Sequence, residues 1–256
     1  FSGKKGILMI TAEKGLLLRA GRRRVRTRGK ALLSTRMRYA AAWPEESHEE
    51  RKGIKMDHNK LREYSRAAQG LDQADLVLKN ARIADVFCGA FFQGDVAVCG
   101  ETIVGVGQYE GRTEVDLTGK TLCPGFIDSH LHLESTLVSP GQLICNAAAF
   151  GTTTFIVDPH ESANVAGGAG IDYILEQTER APANVYVMLP SCVPAAPGED
   201  NGCVFTAAQM ARYLGHPRVL GLGEVMDCPA VLSGAPDMLD KLDLFRDKTS
   251  TATRPA

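Results

Sequence analysis

The sequence predicts an α/β chain: a partial (β/α)8 TIM-type barrel of about four β/α units, entered through a small N-terminal β module. Three observations predict it. From Thr152 onward, short β-branched runs alternate with helical stretches, the rhythm of a parallel sheet. Before that, Ala74 to Cys123 carries short alternating runs parted by glycine-rich turns. Finally, the polar residues suited to chemistry all follow strands, and that is the end of a barrel strand that carries a site. A chain of 256 residues with a 44% hydrophobic fraction can build one barrel-sized domain, or part of a barrel plus a β module.

Residues 1–55 read unlike the rest. A basic cluster, Arg19 to Arg28, precedes an acidic patch at Glu45 to Glu50, with neither strand alternation nor an amphipathic helix. The segment is expected to be a disordered, non-native leader, and the chain opens on Phe1 rather than Met. Purine-rich codons would encode most of Glu49 to Lys55, like a bacterial ribosome-binding site before a start codon. Met56 is therefore the expected start, which the nucleotide sequence of the gene tests.

Within 56–73, Leu61, Tyr64, Ala67 and Ala68 fall at helical spacing, predicting a short helix. Residues 74–123 predict a small β-sandwich-like module of three or four strands. Alternation shows in Asp95-Val96-Ala97-Val98 and in Thr102 to Val106. So few strands are marginal alone, so the module should pack on something. The barrel part, 124–248, starts with Phe126-Ile127, an apolar run expected to be a buried strand ending at His130. Helices follow at Pro140 to Phe150, Gly168 to Arg180, Thr206 to Leu214 (Thr206 as N-cap) and Pro236 to Phe245. Strands are expected at Thr152 to Asp158, Asn184 to Pro190 and Arg218 to Val225.

The chemistry begins at His130 and His132. Residues i and i+2 of a strand point to one side, so two imidazoles with parallel exits can grip one cation. Imidazole is the commonest protein ligand for zinc and related metals. An isolated His-x-His is a weak signal; its place at the end of an apolar strand, before Glu134 and Ser135, strengthens it. Asp158, His160 and Glu161 follow the second strand, Ser191 and Cys192 the third, and Glu224 ends the fourth. Asp158 and His160 either line a pocket or bind an accessory metal, or Asp158 merely caps the next turn. Glu134 and Glu161 are further pocket candidates. Ser191 has no partner base in sequence, so its loop is read as shaping the pocket, with Cys192 a packing thiol. His216 reads as a surface turn residue; His48 and His58 lie outside the barrel.

Composition narrows the alternatives. A net charge of -1 gives no overall pull towards nucleic acid or membrane, and no apolar run approaches a bilayer span. The N-terminus lacks the pattern of a secretory signal. Seven scattered cysteines without a CxxC spacing read as buried thiols of a reducing, cytoplasmic setting.

A β module leading into PGFID-x-H-x-H resembles the amidohydrolase superfamily of metal-dependent hydrolases. GTTTFIVDPHESANVAG, NVYVMLPSCVPA and VLGLGEVM make Ala74 to Lys248 similar to bacterial adenine deaminases. The resemblance implies hydrolytic deamination of adenine to hypoxanthine and ammonia, in purine salvage. It implies metal ligation by His130 and His132, with Glu224 as the carboxylate that bridges two cations. Manganese or iron, or else zinc, is the implied metal, and a homo-oligomer the implied assembly. Other cyclic-amide hydrolases, of the dihydroorotase or imidazolonepropionase kind, or a non-catalytic remnant, are the alternatives.

The resemblance also implies two later histidines and an aspartate as ligands, whereas the last histidine here is His216. The polypeptide by itself is thus expected to have little or no deaminase activity, its general acid/base being absent, and its open sheet edges favour aggregation or swapping. Residues 249–256 form an aberrant tail. Family members continue with a segment like Val-Asp-Gly-His-Ala-Pro-Gly. Codons permissible for Thr249 to Ala256 encode that segment when read two bases later, which is compatible with a frameshift.

Overall fold

The computed structural model describes residues 57–195 and 198–248, together with the backbone of three short strands at 7–10, 17–20 and 249–250. The proposed start at Met56, most of the leader, His48 and 251–256 lie outside the described residues. Within the leader, β1 (Ile7–Ile10) and β2 (Leu17–Ala20) pair antiparallel, a correction to the expectation that no strand occurs there.

Helix α1 (His58–Ala68) opens the fully described region, with Asp57 as N-cap accepting from the Asn59 N–H. It buries Ala67 against Ala74, Val77, Ala97 and Cys99. The β module contains five strands rather than three or four: β3 (Ala74–Asp85), β4 (Ala90–Cys99), β5 (Thr102–Gly107), β6 (Gly111–Asp116) and β7 (Thr121–Pro124). The sheet runs β2-β1-β7-β3-β4-β5, with β6 also on β3. The extra strand arises because TEVDLTGKTLCP folds as two strands, β6 and β7, around the Thr118-Gly119 turn. Leu78, Ala81, Ile83, Val96, Leu117 and Leu122 make its own apolar core. Removing such side chains from water stabilises by roughly 1.5–3 kcal/mol each for the larger ones.

The second unit alternates as expected. After β8 (Phe126–Leu131) come α2 (Pro140–Ala148), β9 (Thr152–Val157), α3 (His160–Ala166), α4 (Gly168–Gln177) and β10 (Asn184–Leu189). Then follow α5 (Ala207–Met210), β11 (Val219–Leu222), α6 (Cys228–Ser233), α7 (Pro236–Leu244) and β12 (Thr249–Ser250). The five strands are all parallel and lie in chain order, β8 to β12, as in the opening of a (β/α) barrel. A fifth strand thus begins where the tail was expected to depart from the fold.

Side-chain alternation explains why β9 sits in the core. Thr153, Phe155 and Val157 are buried, while Thr152, Thr154 and Ile156 are less so. Ile144, Ile171, Ile174, Val185, Val187, Leu189 and Leu222 close the same core. At Thr206 the predicted cap is present: its N–H donates to the Gln209 side chain at 2.8 Å.

Three expectations need correcting. β8 is not buried: Phe126 is 52% and Ile127 64% exposed, because β8 is the edge of its sheet and pairs only with β9 among the described residues. The strand runs past His130 to Leu131, with an irregular register after Asp128. All seven cysteines are free, but only Cys99 and Cys192 are buried, and Cys88 and Cys145 are exposed. Short strands and turns give small thiols many half-covered positions that apolar neighbours in sequence do not reveal. Among the described residues no helix is long and apolar enough to cross a membrane.

Candidate metal centre

Because the strands are parallel, their C-terminal ends gather at one rim. His130 lies in β8 and His132 just after it, Asp158 follows β9, Ser191 follows β10 and Glu224 follows β11. The rim brings three of them into contact. His130 Nε2 lies 2.6 Å from Glu224 Oε1 and 3.2 Å from His132 Nε2. The two imidazoles meet edge to face with centroids 4.9 Å apart. One ligand atom from each of the three residues falls within 4.8 Å of the others. Two imidazole nitrogens and a carboxylate oxygen gathered this closely are a donor set that suits a divalent transition metal.

Glu224 is held by its main chain. Its N–H donates to Asp158 Oδ2 at 3.0 Å, and its carbonyl accepts from the Ser191 hydroxyl. Ser191 is itself fixed, its carbonyl accepting from the buried Lys241 ammonium at 3.0 Å. Asp158 therefore does not cap the following turn; it ties the second strand to the fourth. Gly223 permits this, since a Cβ there would lie 2.3 Å from Asp158 Oδ2. Ser191 is buried, bonds Glu224 and lies 3.0 Å from Cys192 Sγ, an arrangement that positions a ligand-bearing residue rather than exposing a nucleophile.

A second group surrounds the far side of His132. Its Nδ1 is 3.5 Å from Glu161 Oε2, and Glu161 Oε1 accepts from Ser135 Oγ at 2.6 Å. Glu134 Oε1 accepts from the Ser162 N–H at 3.1 Å. Burial pushes the Glu134 carboxyl up to about 7, and the adjoining Glu161 adds to the rise. Burial also works on Glu161, but hydrogen bonds from Ser135 and Glu134 outweigh it and hold that carboxyl below its ordinary value. The two neighbouring carboxyls are thus pushed in opposite directions, Glu134 towards the protonated form and Glu161 towards the ionised one.

Asp158 is 1% exposed, and burial raises its carboxyl against the opposing Glu224 N–H. Its Oδ1 and both nitrogens of the buried His160 have no hydrogen-bond partner, with Oδ1 and Nδ1 3.8 Å apart. Unpaired buried polar atoms of this kind are costly and cluster at ligand sites. His216 sits in a turn away from the rim, half-buried, its Nδ1 accepting from the Arg218 N–H at 3.2 Å. His58 is exposed on α1.

Sequence reasoning missed Lys241 and Gly223. Asp237, four residues before Lys241 and 2.7 Å from its ammonium, marks it only as a helix-surface pair, while the partner that matters to the rim is fifty positions away. Gly223 did carry a signal: a glycine inside a strand-like run often marks a close approach of backbone or side chain.

The amidohydrolase family model matches residues 121–248. The chain is 58% identical to an adenine deaminase of Desulfitobacterium hafniense over 78% of this chain and 35% of that protein. It is 49% identical to adenine deaminase 2 of Carboxydothermus hydrogenoformans, over 73% and 33% of the two chains. The chain thus spans about a third of the length of the curated relatives it matches. It overlays the solved N-acyl-D-glutamate deacylase of Bordetella bronchiseptica with a TM-score of 0.49 and 18% identity, over 71% of this chain and 45% of that one.

Proposed function

The chain belongs to the amidohydrolase family, and from that premise we propose that it carries the β module and the first metal ligands of an adenine deaminase. The reaction is hydrolysis of the exocyclic amine of adenine, giving hypoxanthine and ammonia. The observation that carries this reading is the meeting of His130, His132 and Glu224 at the rim, from the first and fourth barrel strands. The relatives at 58% and 49% identity, both named adenine deaminase, supply the substrate.

A divalent cation, when bound, supplies Lewis acidity and makes a nucleophile from water near neutral pH. His130 and His132 would hold it through Nε2, and Glu224 would offset its charge. Manganese or iron is the proposed ion, with zinc the alternative. Asp158 and Ser191 keep Glu224 in place through its main chain. Attack at C6 of adenine sends one proton to the ring and another to the departing amine, so a general acid/base is required. Asp158, His160, Glu134 and Glu161 are proposed to line the pocket.

A chimera tests the proposal. Residues 57–248 replace the matching stretch of the Desulfitobacterium hafniense adenine deaminase. The chimera is expected to release ammonia from adenine in a metal-dependent way, and Glu224→Ala in it to abolish that release. A folded, metal-loaded chimera that leaves adenine intact but opens dihydroorotate or imidazolonepropionate would overturn the substrate.

A further inference from the structure

Glu224 stands two residues beyond the end of β11, where the sheet no longer holds the chain. Its N–H and its carbonyl are bound instead by two side chains, Asp158 and Ser191. Ser191 lies in the loop after β10, and its own carbonyl accepts from Lys241 Nζ at 3.0 Å. Lys241 belongs to α7 and is 3% exposed. Its ammonium also meets Asp237 Oδ2 at 2.7 Å, one helical turn earlier, and Asp237 Oδ1 accepts from the Ala207 N–H at the start of α5 at 3.2 Å. One buried cation thus ties α7 to the loop after β10 and, through Asp237, to α5.

A lysine that served Asp237 alone would need no burial. That carboxylate is half-exposed, and pairs at i, i+4 form on the surface of a helix. Taking an ammonium out of water is costly, and such a charge seldom adds net stability over an apolar side chain. What burial yields here is a donor fixed at the Ser191 carbonyl. We propose that Lys241 is a positioning residue for the metal centre. By fixing Ser191 it fixes the Glu224 carbonyl, and so keeps the Glu224 carboxylate beside His130 and His132. This role rests on the metal reading of the rim and is independent of adenine as substrate.

The test uses the whole 256-residue chain. Amide exchange followed by NMR reports the Glu224 main chain without metal; competition against a coloured chelator reports Mn2+ affinity. Lys241→Met, which keeps the stem and removes the ammonium, should lose protection at the Glu224 amide while the amides of β9 and β10 keep theirs. Its Mn2+ affinity should fall about 10-fold. Lys241→Arg keeps the charge and moves the donor, so both of its readings should lie between parent and Lys241→Met. Ser191→Ala should weaken Mn2+ binding as much as Lys241→Met does, and the double variant no further, because both changes break one chain of contacts. Asp95→Asn, in the β module, controls for lost stability and should leave Mn2+ affinity unchanged. Additive losses in the double variant, or an unaltered Glu224 amide and affinity in Lys241→Met, overturn the proposal. So does a loss of protection spread equally over β9, β10 and Glu224. Where Lys241→Met does not fold, Lys241→Arg decides, and parent-like values in both readings overturn the proposal. A parent chain that binds no Mn2+ refutes the metal reading instead, and the Glu224 amide then decides the role of Lys241 by itself.

Discussion

Two buried aspartates, one in each unit, meet opposite fates. Asp95 in the β module is 6% exposed and fully served: Lys79 Nζ is 2.8 Å away, and the Asn80 and Tyr109 N–H groups donate at 2.9 and 3.3 Å. Burial alone would raise its carboxyl, but these partners outweigh burial and hold it below the ordinary range. Asp158 at the barrel rim is 1% exposed, has one N–H donor on Oδ2 and nothing on Oδ1, and burial raises it. Charge in the module is balanced within the module. At the rim, Asp158 Oδ1 and both nitrogens of the buried His160 beside it are left without hydrogen-bond partners. A region built that way keeps polar atoms free for a ligand.

The comparison breaks first at the ligands. Glu224→Ala should cut Mn2+ affinity by more than about 100-fold, beyond what loss of a supporting group costs. Titration calorimetry reads it, and an unchanged affinity would remove Glu224 from the site. Next, Asp95→Asn should destabilise the chain by about 2 kcal/mol in urea unfolding without altering Mn2+ affinity, since it removes the carboxylate paired with Lys79, whose ammonium keeps only the Tyr109 carbonyl. Because the folded carboxyl of Asp95 sits below its unfolded value, its contribution is present above the unfolded pKa. It fades as pH falls through the folded one. Gly223→Ala should push the Asp158 carboxylate off the Glu224 N–H and lower Mn2+ affinity about 10-fold. The smallest effect sharpens the contrast. Asp158→Asn should stabilise the metal-free chain at pH 7, read as a higher midpoint in urea unfolding. The raised carboxyl of Asp158 favours the fold only while protonated, and that advantage is lost as pH rises through its folded value. Destabilisation by both asparagine variants would erase the distinction between the two regions.

The parts of this account that are local were legible in the sequence. His-x-His at a strand end, the acid after VLGLG and the alternation of strands with helices depend on near neighbours and on the parallel order they force. The short helices α3 and α6 escaped, although Pro159 before the first, Asp227 before the second, and Gly167 and Gly234 behind them are ordinary start and stop signals. They were masked because six or seven residues hold too few turns for a periodic pattern. The exposure of Phe126 and Ile127 was illegible for another reason: an apolar run reads the same at a sheet edge as in its centre, and edge position is a property of the whole sheet. Which of Asp158's readings holds depended on Glu224, far along the chain, and no spacing rule reaches that far.

The most direct test is an anomalous-scattering map from crystals of the chain grown with Mn2+. The account requires one peak at about 2 Å from His130 Nε2, His132 Nε2 and a Glu224 carboxylate oxygen together. A peak bound elsewhere, with these three side chains still in contact with one another, would contradict it.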